Sequence, residues 1–399
     1  MSRRHLVLCA KSRWDPPIRR EHAFAREAAL HGHTVDFVEQ PVDIRALARI
    51  GLRWLRPSGD GPQQATAVDN LAVWGRCVPA PGHRGKLAAS AYNALLARLL
   101  RCLVAGPDTA VVANVPWQWP AVAKAKADRR VFDCADNWAA MLPRREGRIR
   151  KLCRHIAAEA DTVIAVNPSL AELFPGRDVT VVRNATAASR CDGAPTPRPG
   201  ARRLVYVGTL SERFDAPLMG DVLNLLPGWH LALYGPCQYA GRSDVPGEEL
   251  RQLLDAHSAR VTWEGVARPT ELTGVLDGAD VLVLPNRGPL SAGQDSMKLY
   301  DYCARGRPIV ATRFDQAGTA TEAPHVRWTA GAGEFADAIR RASEEDPRLA
   351  ADRVRWAACQ TYAARWPQWA AAVFGDLAEG DRRPGDRRPG DPVEQGARP

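Results

Sequence analysis

The chain has 399 residues, 45% of them hydrophobic and 25% charged, with a formal net charge of +9; this is the profile of a soluble globular protein long enough for two domains with a sizeable core. Its nine cysteines contain no C-x-x-C pair and no regular spacing, which excludes a disulfide framework or structural zinc site and favours a reducing compartment, the cytoplasm. The apolar run Leu6 to Ala10 is too short for a signal sequence, and Arg98 and Arg101 interrupt Ala94 to Val104, so no membrane span is expected.

Charge is unevenly spread. Through Arg190 there are 29 Lys+Arg against 17 Asp+Glu, and beyond it 25 against 28. A basic first half suits an anionic membrane surface or a phosphate-bearing substrate. No zinc-finger spacing, RNP-like strand or basic helix-turn-helix pattern accompanies it, so nucleic acid is not expected as a partner.

In chain order, Leu6 to Cys9 reads as a strand, Lys11 to Pro17 as a loop, Ile18 to Leu30 as a helix stopped by Gly32, and Thr34 to Val38 as the next strand. No G-x-G-x-x-G follows the first strand, which disfavours a dinucleotide-dependent dehydrogenase. Trp14 with Arg19 and Arg20 forms a candidate acceptor cradle, against the plainer reading of a packed tryptophan and solvent-facing arginines. Residues Ile44 to Arg56 alternate Leu, Ile and Trp with arginines, a pattern shared by membrane-surface helices and core helices. A helix over 86–104 and a strand over Ala110 to Ala113 follow.

The stretch Val131-Phe132-Asp133-Cys134-Ala135-Asp136-Asn137-Trp138 sets two carboxylates at the end of a strand, the edge where open α/β sheets place ligands. Helix capping and local hydrogen bonding compete as explanations for these aspartates. A basic run from Arg144 to Arg154 occupies a helix reaching Glu159. Strands at Thr162 to Val166 and Val179 to Val182 close the first unit, and the Pro- and Gly-rich segment Cys191 to Gly200 reads as a linker.

The α/β alternation then restarts. Leu204 to Val207 is a strand whose following Gly208 lets backbone approach a ligand, with Thr209 beside it and Arg213 free to pair with phosphate or with Asp215. Strands at His230 to Tyr234, Val261 to Val266 and Val281 to Pro285 follow, with a helix at Thr270 to Leu276. Met297 to Cys303 is a short helix led by Lys298; Gly306 stops it, Pro308 forbids its continuation, and Ile309 to Thr312 is a buried strand. Free amides in that helix's first turn, the dipole and the Lys298 ammonium together suit an anion such as a diphosphate. A helix at Phe335 to Ala342 and a helical tract from Leu349 to Leu377, kinked at Trp366-Pro367-Gln368-Trp369, complete the ordered chain. The tail Gly380 to Pro399, which repeats Gly-Asp-Arg-Arg-Pro, is expected to be disordered.

The lysine-led helix, its acidic Asp301, the Ala304-Arg305-Gly306-Arg307-Pro308 turn and the apolar strand after it resemble the donor-site segment of GT-B nucleotide-sugar glycosyltransferases. The Met297-Lys298 pair is similar to that of xanthan glucuronosyltransferase and teichuronic-acid-type enzymes. The opening unit with His31-Gly32-His33-Thr34-Val35 resembles their acceptor domain. The resemblance implies two facing Rossmann-like domains of the α/β class, over 1–190 and 201–358, with 191–200 as linker, a helix in 359–379 crossing back to the first domain, and the 380–399 tail. It implies that Gly208, Thr209, Arg213, Glu264, Met297, Lys298 and Asp301 bind the donor, Glu264 near the nucleoside. Asp136 is then the general base, with Asp133 second in line, and Trp14, Arg19 and Arg20 hold the acceptor. Many retaining members carry two glutamates across the donor segment, whereas here those positions are Gly293 and Asp301.

The expected function is metal-independent, inverting transfer of a sugar from a nucleotide-diphosphate sugar, UDP-linked, to a hydroxyl acceptor, either a lipid-linked saccharide or a small metabolite. No cofactor is expected, and no D-x-D triplet is present to clamp a metal. The enzyme would be cytoplasmic or peripheral at the inner face of the membrane. The alternatives are a nucleotide-sugar 2-epimerase of the same fold and a catalytically silent nucleotide-sugar-binding protein.

Overall fold

The computed structural model describes residues 3–14, 18–40, 42–43, 63–64, 70–75, 77–78, 86–104, 106–186, 202–239, 242–291, 293–313 and 322–375. The expected helix at Ile44 to Arg56, the linker Cys191 to Gly200 and the tail Gly380 to Pro399 lie outside the described residues.

Two sheets organise the molecule. In the first, strands follow the spatial order Val179–Val181, Thr162–Ala165, Arg129–Cys134, Thr109–Ala113, His5–Cys9, Thr34–Val38, Leu71–Trp74 and Gln63–Gln64. All pair in parallel except Gln63–Gln64, which runs antiparallel to Leu71–Trp74. The central strands are buried on both faces, as continuous runs such as Thr109-Ala-Val-Val-Ala113 require. One hydrophobic cluster covers each face of this sheet. The second sheet is fully parallel, in the order Val261–Gly265, His230–Tyr234, Arg203–Val207, Val281–Leu284, Ile309–Thr312 and Val326–Thr329, and shares one cluster with its helices. Its strand order reverses at Arg203–Val207, so the loop opened by Gly208 lies at the topological switch point, the usual ligand position of such sheets.

The long helical tract is two helices, Arg348–Ala358 and Tyr362–Phe374. The break falls at residues 359–361, where Thr361 caps the second helix by accepting from Ala364 N, and the helix then continues through Pro367. The turn toward the first domain is therefore made before Tyr362 and not at Pro367. The returning helix seals one face of the first sheet: Trp369 stacks on Phe24 with centroids 4.6 Å apart, and Trp366 stacks on His31 at 4.8 Å. Arg129 Nε and Arg4 Nη1 donate to the carbonyls of Val373 and Phe374 at its end.

Asn184 and Thr186 tie the crossover from the first domain to the second. Asn184 N donates to Asp295 Oδ2 at 2.5 Å, and its amide donates to the Asp295 carbonyl at 2.7 Å. Thr186 Oγ1 donates to Asp301 at 2.9 Å, and Thr186 N bonds Gln360 O, where the last helix begins its return.

Candidate active site

The carboxyl ends of the two sheets meet around a charged cleft. From the first domain, the loop after His5–Cys9 supplies Lys11 and the segment after Arg129–Cys134 supplies Asp136; Lys11 Nζ donates to Asp136 Oδ2 at 2.8 Å. Burial pushes the Asp136 carboxyl up, but Lys11, Arg213 and Arg19 together carry it below its ordinary value. Lys11 shows the mirror case: burial pulls its ammonium down, and Asp136 with Glu21 more than restores it. Both groups are thus held ionised at neutral pH. Glu21 is itself buried and accepts from Ser12 Oγ at 2.5 Å.

From the second domain comes Lys298, in the first turn of the helix Met297–Ala304. Its side chain runs over Gly208: a Cβ built on Gly208 would lie 1.8 Å from Lys298 Cε, so only glycine there leaves the lysine its path. The ammonium stands 5.3 Å from the Tyr206 ring centroid and has no carboxylate partner among the described residues. Burial first, then the nearby Arg213 and Arg19 charges, draw its pKa down to about 8, with Asp301 pulling weakly the other way. Ser296, the cap of this helix, makes no side-chain capping bond; Leu299 N donates to the Ser296 carbonyl at 3.0 Å, and the Met297 and Lys298 amides ahead of it are left for another acceptor. Arg213 is aimed by Gln294, whose amide oxygen, turned toward the guanidinium, accepts from Nη2 at 3.1 Å and from Nη1.

Several expected residues do not join this group. Arg20 is 1% exposed and its Nε spans both oxygens of Asp133 at 3.1 and 3.0 Å, while Nη1 donates to Arg183 O. Asp133 also accepts from Trp369 Nε1 at 3.0 Å, so its carboxylate is a buried anchor for the returning helix and has no access to an acceptor. Arg20 is accordingly not an acceptor contact and Asp133 not a second base. Trp14 packs edge-on against Phe37 and His22, with Arg26 over its face, which leaves it a wall and not a free stacking platform. Met297 turns toward the crossing helix, where its sulfur accepts from Tyr362 OH at 3.7 Å. Asp301 is engaged by Thr186. Thr209 offers its carbonyl to Tyr206 OH. Glu264 is exposed on the edge strand and makes no hydrogen bond or ion pair among the described residues. The residues the geometry brings together are Asp136, Arg19, Gly208, Arg213 and Lys298, joined by Lys11, Tyr206 and Gln294, which the sequence reading did not single out.

Gly235 was also unmarked as a site residue. Its φ is 139° and a Cβ there would stand 2.0 Å from the Gly208 carbonyl oxygen, so two loops of the second domain close on each other through glycine alone. Among the described residues, no three His, Cys, Asp or Glu side chains converge as a metal site would need.

Two facing parallel α/β domains, a crossover between them and a last helix that returns to the first domain define the GT-B glycosyltransferase fold. Residues 201–345, which make up most of the second domain, match the family model described as Glycosyl transferases group 1. The chain is 24% identical over 209 residues to the putative teichuronic acid biosynthesis glycosyltransferase TuaH of Bacillus subtilis, across 47% of this chain and about half (51%) of the length of that relative. HepE of Anabaena, solved in complex with UDP and glucose, is similar over 94% of this chain and 100% of its own, with a TM-score of 0.63 and 15% identity. WaaG, a glycosyltransferase involved in lipopolysaccharide biosynthesis, is similar over 93% and 100% at a TM-score of 0.64 and 15% identity. An Escherichia coli structure described as trehalose-6-phosphate bound with UDP-2-fluoro glucose is similar over 94% and 99% at 0.66 and 13%.

Proposed function

We propose that the protein is a glycosyltransferase that moves a sugar from a nucleotide-diphosphate sugar to a hydroxyl acceptor. The observation that carries this reading is the unpaired Lys298 ammonium at an uncapped helix start, opened by Gly208 and crowded by Arg213 and Arg19: a site charged for an anion. A diphosphate supplies the missing counter-charge, and Lys298, Arg213 and the helix amides then stabilise it as leaving group without a metal. The nucleotide is uridine in this reading, in line with the UDP and UDP-sugar complexes of HepE and of the E. coli neighbour.

In the transfer step the acceptor hydroxyl gives its proton to Asp136 as its oxygen bonds to the anomeric carbon; the bond from that carbon to the diphosphate oxygen breaks, and its electron pair leaves with the nucleotide. This route inverts the anomeric centre. Lys11 keeps Asp136 ionised and fixed, at some cost in basicity because the pair lowers the carboxyl pKa. The acceptor is a lipid-linked saccharide or a small metabolite, and the enzyme works in the cytoplasm, either free or peripheral at the inner face of the membrane. A thermal-shift panel of UDP-, GDP- and TDP-sugars tests donor binding. Consumption of donor without any acceptor would favour epimerisation, and binding without turnover would mark a silent binding protein. Product stereochemistry by NMR tests the inverting route.

A further inference from the structure

At the start of the helix Arg20–Leu30 a histidine stands where a glutamate or glutamine ordinarily reaches back to the cap. His22 is the third residue of that helix, and its Nδ1 accepts from the Arg19 backbone amide at 3.0 Å. Its Nε2 meets the Arg13 carbonyl at 2.6 Å. One partner is a fixed donor and the other a fixed acceptor, so only the neutral ring with its proton on Nε2 satisfies both. The ring is 2% exposed, stacked on Phe37 with centroids 5.2 Å apart and met edge-on by Trp14 at 5.3 Å, which fixes its plane.

The two segments that His22 joins carry cations of the cleft. Lys11, two residues before Arg13, donates to Asp136 Oδ2 at 2.8 Å, and the Arg19 charge acts on both Asp136 and Lys298. We propose that His22 is a positioning residue for the candidate site: its neutral Nε2–H form clamps Arg13 to Arg19 and so holds Lys11 and Arg19 in place, and its protonation releases them. A proton on Nδ1 sets an N–H against the Arg19 N–H, which replaces a hydrogen bond by two facing donors. The charged groups around the ring are Glu21, Arg19 and Arg26 on its own helix, Arg13 on the loop, and Glu39 beyond the strand Thr34–Val38, which accepts from Trp14 N at 2.7 Å. Asp36 on that strand is taken by His5 and by Trp74 Nε1. Burial first holds the ring's pKa below the ordinary 6.5, with Arg19 and Arg26 acting on the same side and Glu21 and the Arg13 carbonyl pulling against them. The clamp is therefore closed at neutral pH and opens as pH falls below 6.5 through the ring's lower value. Its purpose rests on the glycosyltransferase reading; the clamp itself does not.

Heteronuclear NMR of the imidazole nitrogens in the full chain, with His22 assigned by its absence from His22→Phe, reads the tautomer, and hydrogen exchange of the Arg19 amide reads the clamp. At neutral pH His22 should carry its proton on Nε2 alone. His22→Phe, which keeps the stack and loses both bonds, should let the Arg19 amide exchange roughly five- to tenfold faster. His22→Gln, whose amide oxygen accepts from Arg19 N and does not titrate, should protect that amide better than the parent at about pH 5, where a histidine is ordinarily charged. Sugar transfer by the parent should fall by up to about tenfold per pH unit on the acid side of the ring's pKa, and His22→Gln should lack that limb. A proton on Nδ1 at neutral pH would overturn the proposal, as would parental Arg19 exchange in His22→Phe or an unchanged acid limb in His22→Gln. The ring proton and the amide exchange are read without substrate, so a parent that transfers no sugar would count against the glycosyltransferase reading alone.

Discussion

Asp133 and Asp136 leave the same strand three residues apart and serve opposite ends. Asp133 is 1% exposed, clasped by Arg20 and capped by Trp369, so every strong interaction it makes points into the molecule. Asp136 sits past the strand end, keeps about a sixth of its side chain open to the cleft, and pairs with a lysine that can share it. Strand position alone decides this: Asp133 lies within Arg129–Cys134, whereas Asp136 lies in the segment that turns outward. A carboxylate buried with its partner holds architecture, and one at the sheet's carboxyl edge is available for chemistry.

The widest separation between the two should appear in stability. Asp133→Asn strips the charge opposing a buried guanidinium, and breaking such a pair costs about 3–5 kcal/mol. Chemical denaturation should show that loss, whereas Asp136→Asn should cost less, because its pair keeps some contact with solvent and Glu21 remains near Lys11. Equal losses from the two substitutions would erase the distinction.

Turnover should show the reverse. Asp136→Asn keeps shape while removing the lone pair that takes the acceptor's proton, and the rate should fall about 100- to 10,000-fold with donor affinity nearly unchanged. Asp133→Asn, assayed where it remains folded, should retain most of its turnover. Near-parental rates in Asp136→Asn together with retained anomeric configuration would reassign Asp136 to positioning Lys11.

A smaller effect tests the anchor from its other side. Trp369→Phe keeps the stack on Phe24 but deletes the indole hydrogen bond to Asp133, a bond to a charged group that contributes about 1.5–3 kcal/mol. Melting of the variant should drop without any change in nucleotide affinity.

Much of the fold was legible because its strands are short apolar runs bounded by Gly, Pro and polar turns. His230–Tyr234 falls where the pattern sets it, and Val281–Leu284 and Ile309–Thr312 match to within one residue. Leu71–Trp74 was not anticipated, since Leu-Ala-Val-Trp is too short to show a period. The tract after Leu349 was read as one helix because nothing at Cys359-Gln360-Thr361 punctuates it except Thr361, a cap whose role shows only once the chain turns. Within the candidate site, Lys298 was singled out by its place at a helix start, whereas position after a strand marked Asp133 and Asp136 alike and only the family resemblance preferred Asp136. Arg19 and Arg20 could not be told apart by sequence: one residue of helical rotation sends Arg20 to Asp133 and leaves Arg19 near Lys298. Lys11 was hidden for a related reason, since its partner is 125 positions away. Gly235 was visible only as a turn residue, because its real constraint is the approach of the Gly208 backbone.

The least of the expected effects concerns Lys298, whose charge has no counterpart to Asp133's enclosed pairing. In the unliganded protein its pKa is about 8, and in the unfolded chain it returns to the ordinary 10.5. Between those values the unfolded state holds a proton that the native state has released, so this lysine's contribution to stability rises with pH across that window. A bound diphosphate supplies the missing negative charge and favours the ammonium, so nucleotide binding must take up the proton that is lost above pH 8. Affinity for UDP should therefore weaken by roughly five- to tenfold for the first pH unit above 8, since one pKa unit corresponds to a factor of ten. Lys298→Met should bind more weakly at neutral pH and show no such slope. Isothermal titration of parent and variant between pH 7 and about 9.5, in buffers of different ionisation enthalpy, reads both the slope and the proton uptake. A parent whose UDP affinity is flat across that range, with no proton taken up, would remove Lys298 from the diphosphate site and leave Arg213 as the cation that must hold it.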